Sequence, residues 1–184
     1  TDDDLIHQLE RSRDIFDAFH VPFYEKAGYE ADDLLGTIPE QLRKELKSGD
    51  IEIIIASGDM DTLQLVDGKK VQVYTLKKGI NDTILYDEKA VKDRFGFPPE
   101  LLPDYKGLRG DPSDNIVGIA GIGEKTATLL IQAFGTIEEM YVVLKKDEEQ
   151  FRKNGFKDRV INLLKEGEEE ALFSKTLAQI KLDV

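Results

Sequence analysis

The run Ile51-Glu-Ile-Ile-Ile-Ala-Ser57, bounded by Gly49 and Gly58, constrains the fold of this chain more than any other stretch. Its β-branched side chains are stiff at χ1 and suit a pleated strand. Because polar residues hardly interrupt it, the run predicts a central strand of a parallel sheet, covered on both faces. Such a sheet needs long crossovers, so this part of the chain is expected to be α/β. Val71–Thr75 alternates and predicts a second strand, and Ile84–Tyr86 a short third one. Upstream, apolar residues at helical spacing predict a helix over Asp4–Phe19, then a short strand at Val21–Glu25. A further helix is expected from Glu30 toward Leu46, kinked or interrupted at Pro39.

Beyond Asp87 helical patterns take over, at Glu88–Phe95, Pro99–Leu108, Lys125–Phe134, Ile137–Leu144, Arg159–Leu164 and Glu168–Ala178. Ile180–Val184 reads as a late strand. The expected organisation is therefore an α/β layer over residues 1–86 and a helical module over 87–184. At 184 residues with 40% hydrophobic content, a packed core is within reach. Cysteine is absent, which excludes disulfides, thiolate zinc sites and cysteine nucleophiles. No apolar run reaches membrane-spanning length, so no membrane partner is expected and a cytoplasmic protein is the default. The net charge of −12 argues against a nucleic-acid partner unless the acids cluster to bind cations or mask a local basic strip.

The acids do fall in groups, where strands or turns hand over to helices. Glu30, Asp32 and Asp33 lie in Gly28-Tyr-Glu-Ala-Asp-Asp33, Asp59 and Asp61 in Ser57-Gly-Asp-Met-Asp61, and Asp111 and Asp114 in Gly110-Asp-Pro-Ser-Asp-Asn115. Taken singly, an Asp after a strand is ordinarily an N-cap or a turn former. Jointly they suggest more, because the Asp59 pair follows the apolar strand at its carboxyl end, where open α/β sheets place ligands. Converging carboxylates repel unless cations offset them, and Mg²⁺ or Mn²⁺ prefers all-oxygen donors. Two such ions roughly 3.5–4 Å apart serve in-line phosphodiester displacement.

Gly118-Ile-Ala-Gly-Ile-Gly-Glu-Lys-Thr-Ala127 is the most specific string. Gly118, Gly121 and Gly123 permit close backbone approach, and Lys125 and Thr126 add donors where the next helix starts. Such a turn grips a phosphate backbone without reading bases. The Gly, Lys and Ser/Thr spacing is not that of a Walker loop, and no strand leads in as a dinucleotide fingerprint requires.

With these segments in view, Gly28–Thr37, Gly58–Leu65 and Gly110–Ile116 resemble the acidic motifs of the 5′ nuclease and flap endonuclease family. Gly118–Ala127 resembles its helix-hairpin-helix (helix-three-turn-helix) element, expected over about 105–135. The resemblance runs through the whole chain in order and lies nearest the 5′–3′ exonuclease domain of bacterial DNA polymerase I. It implies a PIN-like (resolvase-like) parallel sheet, truncated at its N-terminus, followed by the helical hairpin module. By it, Glu30, Asp32 and Asp33 belong to a first metal region, and Asp59, Asp61, Asp111 and Asp114 to a second. Asp32, Asp59 and Asp61 are the acids most directly tied to catalysis.

The resemblance further implies two Mg²⁺ or Mn²⁺ ions, K⁺ at the hairpin, and hydrolysis of DNA at 5′ ends and 5′ flaps. Lys77 and Lys78 match a basic strip, and Gly118, Gly121, Gly123, Lys125 and Thr126 the duplex-binding turn. The family's opening strands and basic arch have no counterpart, so the chain reads as an internal segment. Its expected partners are a missing N-terminal nuclease segment and, downstream, a polymerase domain. Without that segment the chain is expected to be inactive by itself. The competing readings are a non-catalytic DNA-binding module and a related metal-dependent ribonuclease, the latter disfavoured by the hairpin.

Overall fold

A computed structural model describes residues 2–45, 51–77 and 81–184. Lys78 and the expected helix end at Leu46 lie outside the described residues. Helix α1 (Asp2–Ala18) and helix α2 (Ala31–Glu45) precede a three-stranded sheet of β1 (Ile53–Ala56), β2 (Val71–Leu76) and β3 (Thr83–Tyr86). Strand β1 pairs parallel to β2, with Ile55 opposite Val73, and β2 pairs antiparallel to β3, with Val73 opposite Tyr86. A 3₁₀ turn over Met60–Leu65 carries the crossover between β1 and β2. Ile55, Val71, Val73 and Tyr86 are buried and fix the covered face of the sheet.

The remaining helices are α3 (Glu88–Phe95), α4 (Leu102–Arg109), α5 (Glu124–Phe134), α6 (Ile137–Lys146), α7 (Glu149–Lys153), α8 (Asp158–Glu166) and α9 (Glu168–Ala178). Their ends carry local signals. Asp87 caps α3 by accepting from Ala90 N at 2.8 Å, and Gly96 ends it at φ 84°. Thr136 and Glu139 close a capping box on α6. One apolar cluster runs unbroken from Ile55 on the sheet to Ala171 on α9. Aromatic contacts tie it together, with the Phe134 and Phe151 rings stacked at 4.0 Å.

Helix α4 is buried on every side from Leu102 to Leu108 and packs chiefly against α9. Its Asp104 accepts from Ile137 N at 2.8 Å and pairs with Lys175 Nζ at 2.7 Å, so one carboxylate ties three helices together. Burial drives the Asp104 carboxyl above its usual range, although Lys175 and the Ile137 amide oppose this.

Several sequence expectations are corrected. β1 is the edge of the described sheet, not its centre, and Ile54 on its outer face is 55% exposed. Tyr74, Leu76 and Leu85 extend that open apolar face. The sheet is also mixed, because the β2–β3 connection is short enough for an antiparallel hairpin. Val21–Glu25 is irregular: Pro22 offers no donor, and Val21, Phe23 and Tyr24 are exposed. Helix α2 runs unbroken through buried Pro39.

The segment Pro99–Leu108 splits into a 3₁₀ turn, Pro99–Leu101, and then α4. Ile180–Val184 forms no strand, because its amides go to side chains instead of a ladder. Ile180 N donates to Gln64 Oε1 at 3.0 Å, Lys181 N to Asp33 Oδ1 at 2.8 Å and Val184 N to Thr37 Oγ1 at 3.1 Å. This strap draws α2 against the end of α9.

Candidate metal centre and nucleic-acid hairpin

The turn after β1 is built by its own polar side chains. Ser57 Oγ accepts from Asp59 N at 3.0 Å, Asp59 Oδ1 accepts from Asp61 N at 2.9 Å, and buried Thr62 donates to the Asp59 carbonyl at 2.6 Å. Asp59 thus caps the 3₁₀ turn and lifts Asp61 over the carboxyl end of the sheet. At the start of α2, Asp33 Oδ2 accepts from Glu30 N at 3.2 Å while Oδ1 takes the Lys181 amide, so both Asp33 oxygens engage backbone. Asp111 caps the turn Pro112–Asp114 through Ser113 N at 3.1 Å, and Asn115 closes it at φ 57°.

These three segments meet. Glu30, Asp32, Asp33, Asp59, Asp61 and Asp114 line one crevice, closed on the far side by the α9 end and the C-terminal strap. Oxygens of Asp61, Asp111 and Asp114 lie within 4.8 Å of one another. Burial and the charges of Asp59, Asp61, Glu30 and Asp33 push Asp32 up to about 6. Burial likewise raises Asp61, partly offset by Lys106. Asp111 is also partly buried, but hydrogen bonds from Lys106 and Ser113 outweigh that and hold it at about 2. Mutually repelling, all-oxygen donors in a half-buried crevice fit a hard divalent cation.

Asp32 carries a pH prediction. Between about pH 4 and pH 6 the folded chain keeps a proton on Asp32 that the unfolded chain has lost. Metal-free stability therefore falls as pH rises through this window, by roughly 1 kcal/mol after discounting for the partial exposure of the group. Denaturant unfolding in EDTA at pH 4.5 and pH 7 measures it, and Asp32→Asn is expected to remove that share of the slope. Equal slopes in parent and variant would contradict it.

Lys106 is the residue that sequence reasoning missed. It is 8% exposed, and its ammonium bonds Asp61, Asp111 Oδ2 at 2.8 Å and Asp114 Oδ2 at 3.5 Å. Only its position in an otherwise buried helix, five residues before Asp111, signals it.

The glycine hairpin lies directly beyond the acidic turn. Gly118 takes φ 63° and Gly121 φ 91°. Gly118 N donates to buried Ser174 Oγ at 3.0 Å, and Ile119 N to the Leu108 carbonyl at 2.9 Å. Ile119 and Ile122 anchor the loop in the core. Gly123 is the N-cap of α5 and provides no side-chain cap, so the first amides of an eleven-residue helix stay available beside exposed Lys125 and half-buried Thr126. Exposed Lys77 follows β2 and donates its amide to the Asp82 carbonyl at 2.7 Å. Because β1 and β2 are parallel, Lys77 stands at the same end of the sheet as Asp59 and Asp61.

The chain matches known families over its whole length. The family described as 5′–3′ exonuclease, N-terminal resolvase-like domain, matches residues 1–96, and 5′–3′ exonuclease, C-terminal SAM fold, matches residues 97–184. The N-terminal match starts at residue 1 and does not confirm the truncation expected above. DNA polymerase I of Bacillus caldotenax is 40% identical over 183 residues, covering 100% of this chain and 19% of the polymerase. DNA polymerase I of Bacillus subtilis is 38% identical with the same coverage. The chain thus spans about a fifth of the length of these relatives.

Among solved structures, the D15 protein of bacteriophage T5, co-crystallised with metal ions, superposes with a TM-score of 0.71 at 22% identity, over 100% of this chain and 63% of that one. The catalytic core of Rad2 in complex with DNA substrate gives 0.55 at 16% identity, over 93% and 53%. At these identities the structural likeness establishes the fold alone.

Proposed function

Because this chain belongs to the 5′–3′ exonuclease family, we propose that it supplies the carboxylates and the duplex-binding hairpin of a divalent-metal-dependent 5′ nuclease. The observation that carries the proposal is the joining of acids from three distant segments in one crevice, with the hairpin beginning four residues after Asp114. Glu30, Asp32 and Asp33 form the first metal region, with Asp33 serving mainly to cap α2 and take the strap. Asp59, Asp61, Asp111 and Asp114 form the second, and Asp61 links the two. Asp32, Asp59 and Asp61 are the acids closest to the chemistry.

Two Mg²⁺ or Mn²⁺ ions, when bound, supply the Lewis acidity that phosphodiester displacement requires. The protein's part is to hold acidic oxygens in place, anchored by the caps at Asp59, Asp111 and Asp33. It also positions the duplex backbone on the hairpin, through the amides after Gly123, Lys125 and Thr126, and the turn carbonyls would be the donors for a K⁺ ion. Lys77 contributes a phosphate contact at the sheet end. In this reading residues 1–86 form the nuclease α/β layer and 87–184 the helical DNA-binding module.

The substrates are DNA 5′ ends and 5′ flaps. Support comes from the T5 D15 protein, co-crystallised with metal ions, and the Rad2 catalytic core, in complex with DNA substrate. The open face and edge of the sheet, unpaired among the described residues, suit an N-terminal nuclease segment as a partner, and the polymerase relatives suit a polymerase domain on the same polypeptide. Among the described residues no single helix is long and apolar enough to cross a membrane, and a cytoplasmic workplace completes the proposal.

The test is Mg²⁺-dependent cleavage of a 5′-flap duplex, with and without the N-terminal segment supplied. Cleavage in the supplemented reaction is expected. Tight duplex binding with no cleavage in either reaction would leave a clamp, not a nuclease. Lys125→Ala is expected to weaken binding of all duplex sequences alike and to lower the salt slope by about 1, as for one lost phosphate contact. Binding isotherms between low and moderate salt measure this, and a sequence-selective loss would contradict it.

A further inference from the structure

The metal reading of the crevice leaves Lys106 unexplained. An ammonium within a helix buried from Leu102 to Leu108 is tolerated only if it is paired on every side. Lys106 finds that pairing in Asp61, Asp111 and Asp114, the same three carboxylates whose oxygens lie close enough to enclose one ion. Asp111 is held for this by Ser113 N at 3.1 Å, and its side chain is only 13% exposed. A single ammonium balances one of three negative charges, so the cluster stays anionic with Lys106 in place. Each carboxylate has a second oxygen, but an ion enclosed by all three acids would stand within a few Å of the ammonium, and like charges at that separation repel. Ligation by these acids therefore favours withdrawal of the ammonium, and its flexible four-carbon stem permits that.

Resting on that metal reading, we propose that Lys106 is a tethered counter-ion that occupies the Asp61–Asp111–Asp114 position in the metal-free chain and is expelled when a divalent cation binds there. Lys106 holds the three acids in register before the ion arrives, which limits their repulsion. It also weakens binding at this position relative to the Glu30–Asp32–Asp59 side of the crevice, where among the described residues no ammonium is ion-paired to these acids, although Lys181 lies on the rim. Metal occupancy of the second region is thereby set by exchange with a side chain and not by carboxylate count alone.

Mn²⁺ binding by calorimetry, on the parent chain and on Lys106→Met and Lys106→Gln, tests this. Both variants are expected to bind Mn²⁺ at the weaker position at least about tenfold more tightly, since a competing charge within a few Å is gone. A second measurement needs no variant. Reductive methylation of the parent chain, read by mass spectrometry, is expected to label Lys106 several-fold faster with saturating Mn²⁺ than with EDTA. Lys175, held by Asp104 and Glu138 away from the crevice, serves as the unchanged control. Unchanged Mn²⁺ affinity in folded variants overturns the proposal. So does Lys106 that stays protected at saturating Mn²⁺, which would indicate repulsion without exchange. Absence of Mn²⁺ binding in parent and variants alike would remove the metal reading itself, whereas binding confined to the variants is the competition in its strongest form.

Discussion

Asp61→Asn is expected to lower single-turnover cleavage of a 5′-flap duplex by roughly three orders of magnitude, the scale of losing one preorganised electrostatic stabiliser, and to leave duplex affinity unchanged. Asp61 is the acid on which both carboxylate groups converge. Its charge helps raise Asp32 on one side, and it shares Lys106 with Asp111 and Asp114 on the other. The amide of Asn keeps the size and the turn but removes the negative charge a divalent ion needs. Folding is not the cause of the loss, because burial already disfavours ionised Asp61 and Lys106 retains two partners. Cleavage is measured under single-turnover conditions with Mg²⁺, and binding by anisotropy in EDTA. Cleavage within about threefold of the parent would show that Asp61 lies outside the reacting centre.

Gly118→Ala is expected to be the most destabilising single change in the hairpin. A Cβ at Gly118 would stand 2.2 Å from Gly110 N and 2.6 Å from Gly110 Cα, while its own φ is 63°. Both contacts are backbone, so no side-chain rotation relieves them. Gly110 and Gly118 also form the base of the acidic turn, where Asp111 and Ile116 exchange backbone hydrogen bonds at 2.8 and 2.9 Å. Relief of the clash therefore spreads the loop that carries Asp111 and Asp114. A cost of at least about 3 kcal/mol is expected, or a Tm lower by roughly 6–12 °C. Gly123→Ala is the internal control. Its added Cβ meets nothing within 4 Å, its φ is −93°, and a change of less than about 1 kcal/mol is expected. Thermal melts that rank the two variants equally would contradict this account of the hairpin.

What the sequence disclosed follows from how local each determinant is. The strand before Asp59 is encoded in consecutive β-branched residues, and the Asp59 and Asp111 turns in Asp–Asp and Asp–Pro spacings that cap within three residues. The hairpin glycines are equally local, since positive φ at Gly118 and Gly121 leaves few alternatives. All of these were legible.

The failures are non-local. The strap was mistaken for a strand because Ile180–Val184 alternates, yet its amides bond Gln64, Asp33 and Thr37, more than a hundred residues away. The setting of β1 at an edge depends on which strands pair beside it, and a short apolar run cannot specify that. Lys106 carries no sequence signal of its role, because a lysine on a short amphipathic pattern is ordinarily solvated. Its burial depends on carboxylates that α4 meets only after folding. Asp33 lies in the acidic crevice that its motif implies, but its further engagement by the amides of Glu30 and Lys181 joins segments the sequence keeps far apart.

The most direct test of the central claim is anomalous diffraction from crystals of this chain soaked in Mn²⁺. A peak is expected enclosed by Asp61, Asp111 and Asp114, within bonding distance of their oxygens, with the Lys106 ammonium moved off them. A crevice without anomalous density at saturating Mn²⁺, with Lys106 still bonded to all three acids, would contradict it.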